Sequence, residues 1–406
     1  MKVLVNAYAC SPNQGSEPGM GWNFVRCLSE KNELHIITES KYKKDILFYL
    51  ENNPSEFSHC RFYFIKRERH NLLRKIWPPS YYWFYKSWQK KVLKFALELD
   101  KKENFDLVHQ LNMIGYREPG YLWKMHKPFI WGPIGGFNIT PWNLLYTMGL
   151  YGLVFYLSRN IINFFQMHTS IRVKEAMEKA SAVMGATKED ADSIVRIFGK
   201  KCSIMPEVGL TRDEKIEVSP KKRLQSEPLK LCWSGLHIPR KSLNLLIEAL
   251  QGIDNVELHV LGDGKKRKEW EHLSKKLGLK NIVWYGKVDR NSALQIMQKC
   301  DAFVQTSLSD TTSTVILEAM SFGLPVVALD HLGFANIVND DCGIKIPVKS
   351  KRSIVNGFTE AICRLRDEED LLGRLSKGAL SRADENSWDR KAEQLNAIYE
   401  MVLKGE

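Results

Sequence analysis

The sequence predicts an α/β fold built from two Rossmann-like domains, and three observations support this. Short apolar runs that suit buried strands alternate with helical patterns along most of the 406 residues. A polar, charged segment at 210–228 interrupts the alternation, which then begins again. The length exceeds what one ordinary hydrophobic core supports, because domains average roughly 150 residues. We therefore expect two domains joined by a linker.

The first half contains strand and helix patterns in the order that a parallel sheet requires. The expected strands are 2–8, 33–38, 61–65, 106–109, 128–131 and 182–184. The expected helices are 19–31, 172–182 and 188–198. Strands that alternate with helices predict a parallel sheet covered on its faces.

The same order returns after residue 228. The expected strands are 230–233, 256–261, 282–285, 302–306 and 325–329. The expected helices are 241–250, 268–277, 292–299 and 314–322. The predicted domains are therefore 1–209 and 229–385, with a linker at 210–228 and a closing segment at 386–406.

Composition and cysteine spacing exclude several classes of protein. With 44% hydrophobic and 26% charged residues, the chain has the composition of a folded globular protein. The eight cysteines are scattered without a C-x-x-C pair, which disfavours a zinc module or a disulfide framework and fits a reducing cytoplasm. The N-terminus lacks the apolar run of a secretory signal. The apolar run at 142–157 is shorter than the roughly 20 residues of a spanning helix. We expect it to form a helix at an interface or along a pocket.

The net charge of +12 is concentrated in one stretch. Residues 61–94 contain ten lysines or arginines and a single acid, Glu68, interleaved with the aromatic segment 77–85 and Trp88. This pattern suits an anionic membrane surface, where rings lie at headgroup depth and cations attract the lipid. Nucleic acid is a competing partner, and a solvated helix face with its aromatic residues in the core is the structural alternative.

Candidate ligand-binding residues in the first half follow the first strand. The carboxyl ends of parallel strands form the edge where such sheets bind ligands. Gly15 lies in that loop and permits close approach of the backbone. The spacing of Gly15, Gly19 and Gly21 does not match G-x-G-x-x-G, which disfavours a dehydrogenase-type dinucleotide site.

The second half carries more specific signals. Arg240 and Lys241 follow strand 230–233 and precede a helix, so they place two cations where a diphosphate would lie. Gly286 ends another strand, and the exposed backbone beside it suits the edge of a base.

Asp310 lies in the loop after strand 302–306. Thr312, Ser313 or Thr314 caps the next helix, whose first N–H groups are available to a phosphate. Glu318 lies about one turn further on, where its carboxylate is placed to accept two ribose hydroxyls.

Taken together, the motifs resemble those of retaining family 4 glycosyltransferases with the GT-B fold. The motifs are Gly15-Ser-Glu-Pro-Gly, Val108-His109, Trp131-Gly-Pro-Ile-Gly-Gly136, Leu261-Gly-Asp-Gly, Tyr285-Gly-Lys-Val, and Asp310 with Glu318 at the two acidic positions of E-x(7)-E. The resemblance runs from end to end. It implies two Rossmann-like domains that face each other across a cleft, with the segment 386–406 crossing back onto the first domain.

The resemblance also implies a reaction and a set of roles. The protein would move a hexosyl group from a UDP- or GDP-type sugar nucleotide with retention, without cofactor or metal. His109 would touch the donor sugar, and Gly15 would face the diphosphate and the acceptor. Arg240 and Lys241 would neutralise the leaving diphosphate. The donor-binding set comprises Gly15, Gly235, Gly286, Val288, Thr312, Ser313, Thr314 and Glu318, and Asp310 would hold the hydroxyls of the sugar.

Two residues depart from the family pattern. Asp310 is one methylene shorter than the usual glutamate, and Leu236 replaces the usual arginine after the glycine of its loop. Both affect the expected identity of the donor. Asp190 and Asp192 have the D-x-D spacing of a metal site, but they lie in an acidic first turn of a helix, which the helix dipole favours. We therefore predict no metal.

The predicted acceptor is a lipid-linked glycan used in surface polysaccharide biosynthesis, at the cytoplasmic face of the membrane. Two other classes stay open. One is a non-catalytic protein that binds nucleotide sugars, and the other is a basic nucleic-acid-binding protein, whose affinity would fall steeply with salt.

Overall fold

The computed structural model describes residues 1–68, 76, 80–211 and 218–405, and these residues form two compact units. The first unit consists of Met1–Asn138, Phe165–Gly209 and Trp388–Glu406. The second unit consists of Ile139–Phe164 and Leu210–Ser387.

The segment 139–164 corrects the predicted domain 1–209, because it belongs to the second unit. Leu144, Leu145, Met148 and Tyr156 pack in the hydrophobic core of that unit. Continuity along the sequence suggested the other assignment. Of the predicted linker 210–228, residues 212–217 lie outside the described part of the chain.

The first unit contains a seven-stranded parallel sheet with the order β3-β2-β1-β4-β5-β6-β7. Its strands are β1 (Lys2–Ala7), β2 (Glu33–Glu39), β3 (Cys60–Ile65), β4 (Leu107–Asn112), β5 (Phe129–Ile134), β6 (Ala182–Gly185) and β7 (Ser203–Ile204). Its described helices are α1 (Ser16–Ser29), α2 (Lys43–Asn52), α3 (Ser80–Glu103), α5 (Ile171–Lys179), α6 (Lys188–Phe198) and α14 (Trp388–Lys404). Helix α4 (Gly149–Thr169) begins in the second unit and ends in the first.

The second unit contains a six-stranded parallel sheet with the order β10-β9-β8-β11-β12-β13. Its strands are β8 (Leu229–Ser234), β9 (Val256–Leu261), β10 (Ile282–Gly286), β11 (Ala302–Gln305), β12 (Val326–Leu329) and β13 (Gly343–Ile346). Its described helices are α7 (Leu243–Ala249), α8 (Arg267–Lys276), α9 (Arg290–Gln298), α10 (Thr314–Ser321), α11 (Leu332–Ile337), α12 (Lys351–Asp367) and α13 (Leu371–Glu385). Short 3₁₀ turns at Trp142–Met148 and Pro239–Lys241 precede α4 and α7.

The strand order of both sheets reverses once, between β1 and β4 in the first and between β8 and β11 in the second. In open parallel sheets, ligands bind beyond the carboxyl ends of the strands at such a reversal. The loops that leave these four strands are therefore the places to look for a site. They carry Gly15, Arg240, Lys241 and Asp310.

Helix α14 packs on the first unit, against α1. The rings of Trp388 and Phe24 meet edge to face with centroids 5.0 Å apart. The side-chain amide of Asn32 donates to Asn396 at 2.7 Å. Of the helices that the structure describes, none combines the length and apolarity needed to span a membrane.

Candidate functional site

The reversal point of the second sheet brings Arg240, Lys241 and Asp310 into one cluster. Arg240 and Lys241 lie in the turn after β8, and Asp310 follows the neighbouring strand β11. Lys241 Nζ donates to Asp310 Oδ2 at 2.6 Å, and Arg240 Nη1 contacts Asp310 Oδ1. Arg240 Nη1 also donates to the carbonyl oxygen of Ser309 at 2.9 Å. We call these three charged side chains the phosphate cluster.

Hydrogen bonds between the two loops fix the position of the cluster. The hydroxyl of Thr306 accepts from Trp233 Nε1 at 2.9 Å and donates to the carbonyl oxygen of Lys241 at 2.5 Å. The N–H of Leu308 donates to the carbonyl oxygen of Arg240 at 2.8 Å. The backbone of the cationic turn is therefore tied directly to the loop that carries the carboxylate.

The charges of the phosphate cluster do not cancel. The side chains of Lys241 and Asp310 are only 11% and 12% exposed. Burial lowers the pKa of Lys241 to about 7, and the charge of Arg240 lowers it in the same direction, whereas the contact with Asp310 opposes the shift. With the lysine protonated, two cations share one carboxylate. The remaining positive charge, poorly screened because the group is buried, favours an anion.

The sequence did not predict a third cation at this place. Arg159, on α4, donates from Nη1 to the hydroxyl of Ser309 at 3.0 Å. Burial lowers the pKa of Arg240, and the charge of Arg159 adds to that effect. Arg159 and Arg240 are far apart in the sequence. Because segment 139–164 was assigned to the first domain, their proximity could not be predicted.

The start of α10 borders the same loop. Ser313 occupies the N-cap position, but its side chain makes no capping hydrogen bond to the described helix. The hydroxyl oxygen of Thr312 is buried and has no partner within the part of the chain that the structure describes. Thr314, the first helical residue, is exposed. The first turn of α10 therefore offers polar groups that suit a phosphate, as its sequence predicts.

Close backbone packing holds this loop in place. The N–H of Gly333 donates to the carbonyl oxygen of Thr311 at 2.7 Å. A Cβ atom at position 333 would lie 2.1 Å from that oxygen. Only glycine permits this approach, so the loop between β11 and α10 rests directly on the start of α11.

Glu318 lies one turn inside α10, and its carboxylate is already engaged. Arg290 Nη2 donates to Glu318 Oε1 at 3.0 Å. The side chain of Arg290 is 57% exposed and that of Glu318 is 13% exposed. An exposed arginine is easily displaced, so the contact is compatible with the predicted binding of ribose.

The three other predicted donor-binding residues lie at the ends of β8 and β10. At Gly235, an added Cβ atom would meet Lys241 Cε at 3.5 Å, an ordinary contact. The carbonyl oxygen of Gly286 accepts from the N–H of Gly262 at 2.8 Å. Val288 is half-buried just beyond β10. Their donor-binding roles stay predictions.

His237 was not predicted, and it lies within the turn that carries the cations. Its buried ring packs against Trp233, Trp270 and Trp284 at centroid distances of 5.5, 5.1 and 5.9 Å. Neither ring nitrogen has a hydrogen-bond partner among the described residues. Burial lowers the pKa of His237 to about 4. The neutral ring therefore packs as an apolar side chain beneath the turn. Its position in a loop of the sequence did not indicate this role.

His109 lies inside the first unit, in the middle of β4. Its Nδ1 is 2.6 Å from the hydroxyl of Tyr399, and its Nε2 is 2.8 Å from the carbonyl oxygen of Gly132. Burial lowers the pKa of His109 to about 4. Both ring nitrogens are used within the unit, so this arrangement supports a structural role and leaves neither nitrogen for a donor sugar. The contact of His109 with the donor sugar, which the resemblance implied, stays a prediction.

Gly15 is exposed immediately before α1, and no atom lies within 4 Å of the position that a Cβ atom would take. Glu17 fixes the start of this helix, because its Oε1 accepts from the N–H of Ile114 at 2.7 Å. Burial raises the pKa of Glu17. The loop at Gly15 is thus held at the carboxyl edge of the first sheet, with open space in front of it.

Arg67 is a second residue of this edge that the motifs did not identify. It is only 7% exposed, and its Nε and Nη1 are buried without partners in the described part of the chain. Its guanidinium stacks 4.5 Å from the centroid of the Tyr81 ring, and the Tyr81 hydroxyl donates to Tyr8 at 3.2 Å. A buried cation without a carboxylate is costly. An anionic ligand would supply the missing partner.

The D-x-D pair has separate partners. Asp190 accepts from the Thr187 hydroxyl at 2.8 Å and from the Asn138 amide at 3.1 Å, and burial raises its pKa to about 7. Asp192 is exposed and pairs with Lys188 at 2.7 Å. These contacts fit the interpretation of this motif as a helix start.

One further group in the described chain has the geometry of metal ligands, namely Glu33, His35 and Glu103. Its two carboxylates already pair with Lys2 at 3.4 and 3.1 Å, and Arg61 lies 2.9 Å from Glu103. The cluster is a network of ion pairs between the start of β2 and the end of α3.

Comparison with known families identifies the part of the chain that carries the phosphate cluster. Residues 214–377 match the family described as glycosyl transferases group 1. The matched residues lie in the second unit and cover most of it. The predicted resemblance to glycosyltransferases is confirmed for this segment, and assignment to family 4 stays a prediction.

Two curated relatives share this similarity. An uncharacterised glycosyltransferase of Methanocaldococcus jannaschii is 28% identical over 166 residues, which cover 41% of this chain and 46% of the relative. The lipopolysaccharide core biosynthesis glycosyltransferase LpsD of Rhizobium meliloti is 29% identical over 200 residues, covering 47% of this chain and 54% of the relative. The chain therefore matches about half the length of each relative.

A solved structure extends the likeness to the whole chain. Anabaena HepE in complex with UDP-glucose is 16% identical and superimposes with a TM-score of 0.59, covering 98% of this chain and 99% of HepE. At this identity the likeness concerns the fold. The predicted α/β fold class, with two Rossmann-like units of the GT-B type, is confirmed.

Proposed function

We propose that this protein is a retaining hexosyltransferase that uses a nucleotide-diphosphate sugar of the UDP or GDP type. The observation that carries the proposal is the phosphate cluster, two cations and one carboxylate at the reversal point of the second sheet. The polar first turn of α10 lies in the same loop, and Glu318 follows one turn later. The solved relative HepE holds UDP-glucose, which supports this class of donor.

The reaction breaks the bond between the anomeric carbon and the diphosphate oxygen. Negative charge develops on the departing diphosphate, and preorganised cations stabilise it. Arg240, Lys241 and the N–H groups at the start of α10 supply this positive charge without a metal ion. Asp310 accepts hydroxyls of the sugar, and it also orients the two cations.

The acceptor hydroxyl attacks the anomeric carbon on the face from which the diphosphate leaves, so the configuration is retained. Its oxygen forms the new glycosidic bond, and its proton passes to the departing phosphate oxygen. This route requires no protein base. It fits the interior position of His109, whose neutral ring is hydrogen-bonded on both sides.

We propose a lipid-linked glycan as the acceptor, in surface polysaccharide biosynthesis at the cytoplasmic face of the membrane. The name of the relative LpsD, a lipopolysaccharide core enzyme, supports this class. Arg67 at the carboxyl edge of the first sheet would meet an anionic group of the acceptor. In the basic stretch 61–94, Lys90, Lys91 and Lys94 are exposed on α3, while 69–75 and 77–79 lie outside the described residues.

A second candidate is a non-catalytic protein that binds nucleotide sugars, favoured by Leu236, which is exposed where the pattern of the family it resembles has an arginine. Purified protein incubated with a panel of nucleotide sugars distinguishes the two. A transferase releases the nucleoside diphosphate from one donor and adds its sugar to the acceptor, which mass spectrometry detects as an increase in mass. NMR of the product shows whether the sugar keeps the anomeric configuration that it had in the donor. Binding without turnover would favour the alternative, and activity lost to a chelator and restored by manganese would contradict metal independence.

A further inference from the structure

Helix α4 and the turn before it expose an unusual amount of apolar surface. Ten large apolar residues of the second unit are exposed in this segment: Trp142, Tyr146, Leu150, Tyr151, Val154, Phe155, Leu157, Ile161, Ile162 and Phe164. Leu150 and Tyr151 are 79% and 73% exposed. Contiguous apolar surface on this scale marks an interaction site. We call these ten residues the apolar face.

The eight helical members of the apolar face share one side of α4. At about 100° per residue, they fall within roughly half of the helix circumference. Gly152, Tyr156, Asn160 and Asn163 lie on the opposite side and are buried. The helix is thus anchored in the second unit by one side and presents the other to solvent.

The charge of the segment that carries the apolar face indicates what covers it. Residues 139–164 contain no aspartate or glutamate and one cation, Arg159. A segment without carboxylates does not repel an anionic partner. The rings of Trp142, Tyr146 and Tyr151 at one end are of the kind that lie at headgroup depth.

We infer that the apolar face of α4 docks on an anionic lipid bilayer, lying in its surface as an amphipathic helix. Because its other side is buried in the second unit, α4 would lie along the bilayer surface and not cross it. The inference rests on the proposed function, because a lipid-linked acceptor is found at such a surface. It assigns membrane contact to the unit that carries the phosphate cluster, whereas the basic stretch 61–94, which the sequence indicated, belongs to the first unit.

Docking by α4 brings the donor site to the membrane, since the helix supports the phosphate cluster. A Cβ atom at Gly152 would lie 3.1 Å from Pro239 Cβ, so α4 packs closely on the turn that carries Arg240 and Lys241. Arg159 on the same helix donates to Ser309. The bilayer surface and the diphosphate would thus be held at a fixed separation by one helix.

The test is sedimentation with vesicles of phosphatidylcholine containing phosphatidylglycerol. We expect the wild-type protein to sediment and to stay partly bound at high salt, because apolar contacts are not screened. The variant L150S/V154S/I161S should lose about tenfold or more in partitioning, since each exposed aliphatic side chain contributes to insertion. Its UDP affinity should equal that of the wild type, which separates this test from the proposed chemistry.

The matched control is L47S/F48S/L97S, which removes three exposed apolar side chains from the first unit and should sediment like the wild type. Hydrogen exchange of the wild type provides a measurement independent of any variant, with protection of 149–164 expected on adding vesicles. Equal sedimentation of wild type and the α4 variant, or no protection, would overturn the inference. So would a wild-type dimer that the α4 substitutions convert to monomer, which would assign the face to a second copy.

Discussion

The hydroxyl of Tyr399 on α14 donates a hydrogen bond to Nδ1 of His109 on β4, with an oxygen–nitrogen distance of 2.6 Å. The direction is fixed because Nε2 faces the carbonyl oxygen of Gly132, which only accepts, and must therefore carry the proton. Both rings are fully buried. The last helix is thus bonded to a central strand of the first unit.

The substitution Tyr399→Phe removes this donor and leaves Nδ1 of His109 buried without a partner. We expect a loss of about 1–3 kcal/mol in the free energy of unfolding, measured with urea. Turnover per folded molecule should stay unchanged, because both rings are fully buried and bond within the first unit. The control is Tyr82→Phe, at an exposed position on α3. A large loss of turnover in a stable Tyr399→Phe protein would support the catalytic assignment of His109.

The buried imidazole also predicts how stability depends on pH. The pKa of His109 is about 4 in the folded protein, against about 6.5 for an unfolded histidine. Between these values the unfolded chain binds more protons, so stability present above pH 6.5 is lost as the pH falls towards 4. The expected loss from this residue is about 2 kcal/mol at pH 5. The measurement compares urea unfolding at pH 7 and 5 for wild type and His109→Gln. Equal pH dependence of the two would contradict the prediction.

The positions of most strands, and the loops that carry Arg240, Lys241 and Asp310, could be predicted from the sequence. Buried strands read as apolar runs, and parallel strands bring their following loops to one edge, so all three side chains were expected where the donor binds. What could not be predicted was their mutual pairing. Arg240 and Lys241, assigned to the diphosphate, lie in direct contact with Asp310, assigned to the sugar.

What the sequence could not show has a common physical origin, because sequence patterns reveal polarity but not the tertiary partner of a side chain. The segment 139–164, whose single charged residue is Arg159, was assigned by continuity, yet its buried side packs in the second unit. The motif at His109 matched a functional pattern, although both ring nitrogens are satisfied by groups distant in the sequence. Arg159 and His237 lacked any motif, and only tertiary packing reveals them.

The pairing within the phosphate cluster gives opposite effects for binding and turnover. In Asp310→Asn, the two cations lose their shared carboxylate, so we expect UDP to bind several-fold more tightly in calorimetry. Turnover should fall by about 100-fold, because the sugar loses a charged hydrogen-bond acceptor. Thermal stability should fall as well, since buried Lys241 and half-buried Arg240 repel each other. Weaker UDP binding together with normal turnover would refute the arrangement.

Glu318 and Arg290 should differ sharply in their effects on nucleotide affinity. Glu318→Ala removes the proposed acceptor of two ribose hydroxyls, and we expect a loss of about 1.5–3 kcal/mol in UDP binding. Arg290→Gln removes only the exposed partner of that carboxylate, worth at most about 1 kcal/mol. Calorimetric titration of both variants with UDP measures the difference. If Glu318→Ala binds UDP like the wild type, the ribose site lies elsewhere.

Binding of a nucleoside diphosphate should be linked to proton uptake by Lys241. Burial and the charge of Arg240 lower the pKa of this lysine to about 7, so at pH 8 much of it is neutral in the free protein. A bound diphosphate favours the charged form and raises the pKa, so a proton is taken up on binding. Titrations with UDP at pH 8 in two buffers of different ionisation enthalpy measure the uptake, which we expect to approach one proton.

Lys241→Met should abolish the uptake and weaken UDP binding, whereas Lys266→Met, which removes an ion-paired lysine of the same unit, should preserve both. The affinity for UDP should also fall as the pH rises from 7 to 9, because binding requires a proton and the proton concentration falls. Proton release on binding, or affinity independent of pH across this range, would place the diphosphate away from Lys241.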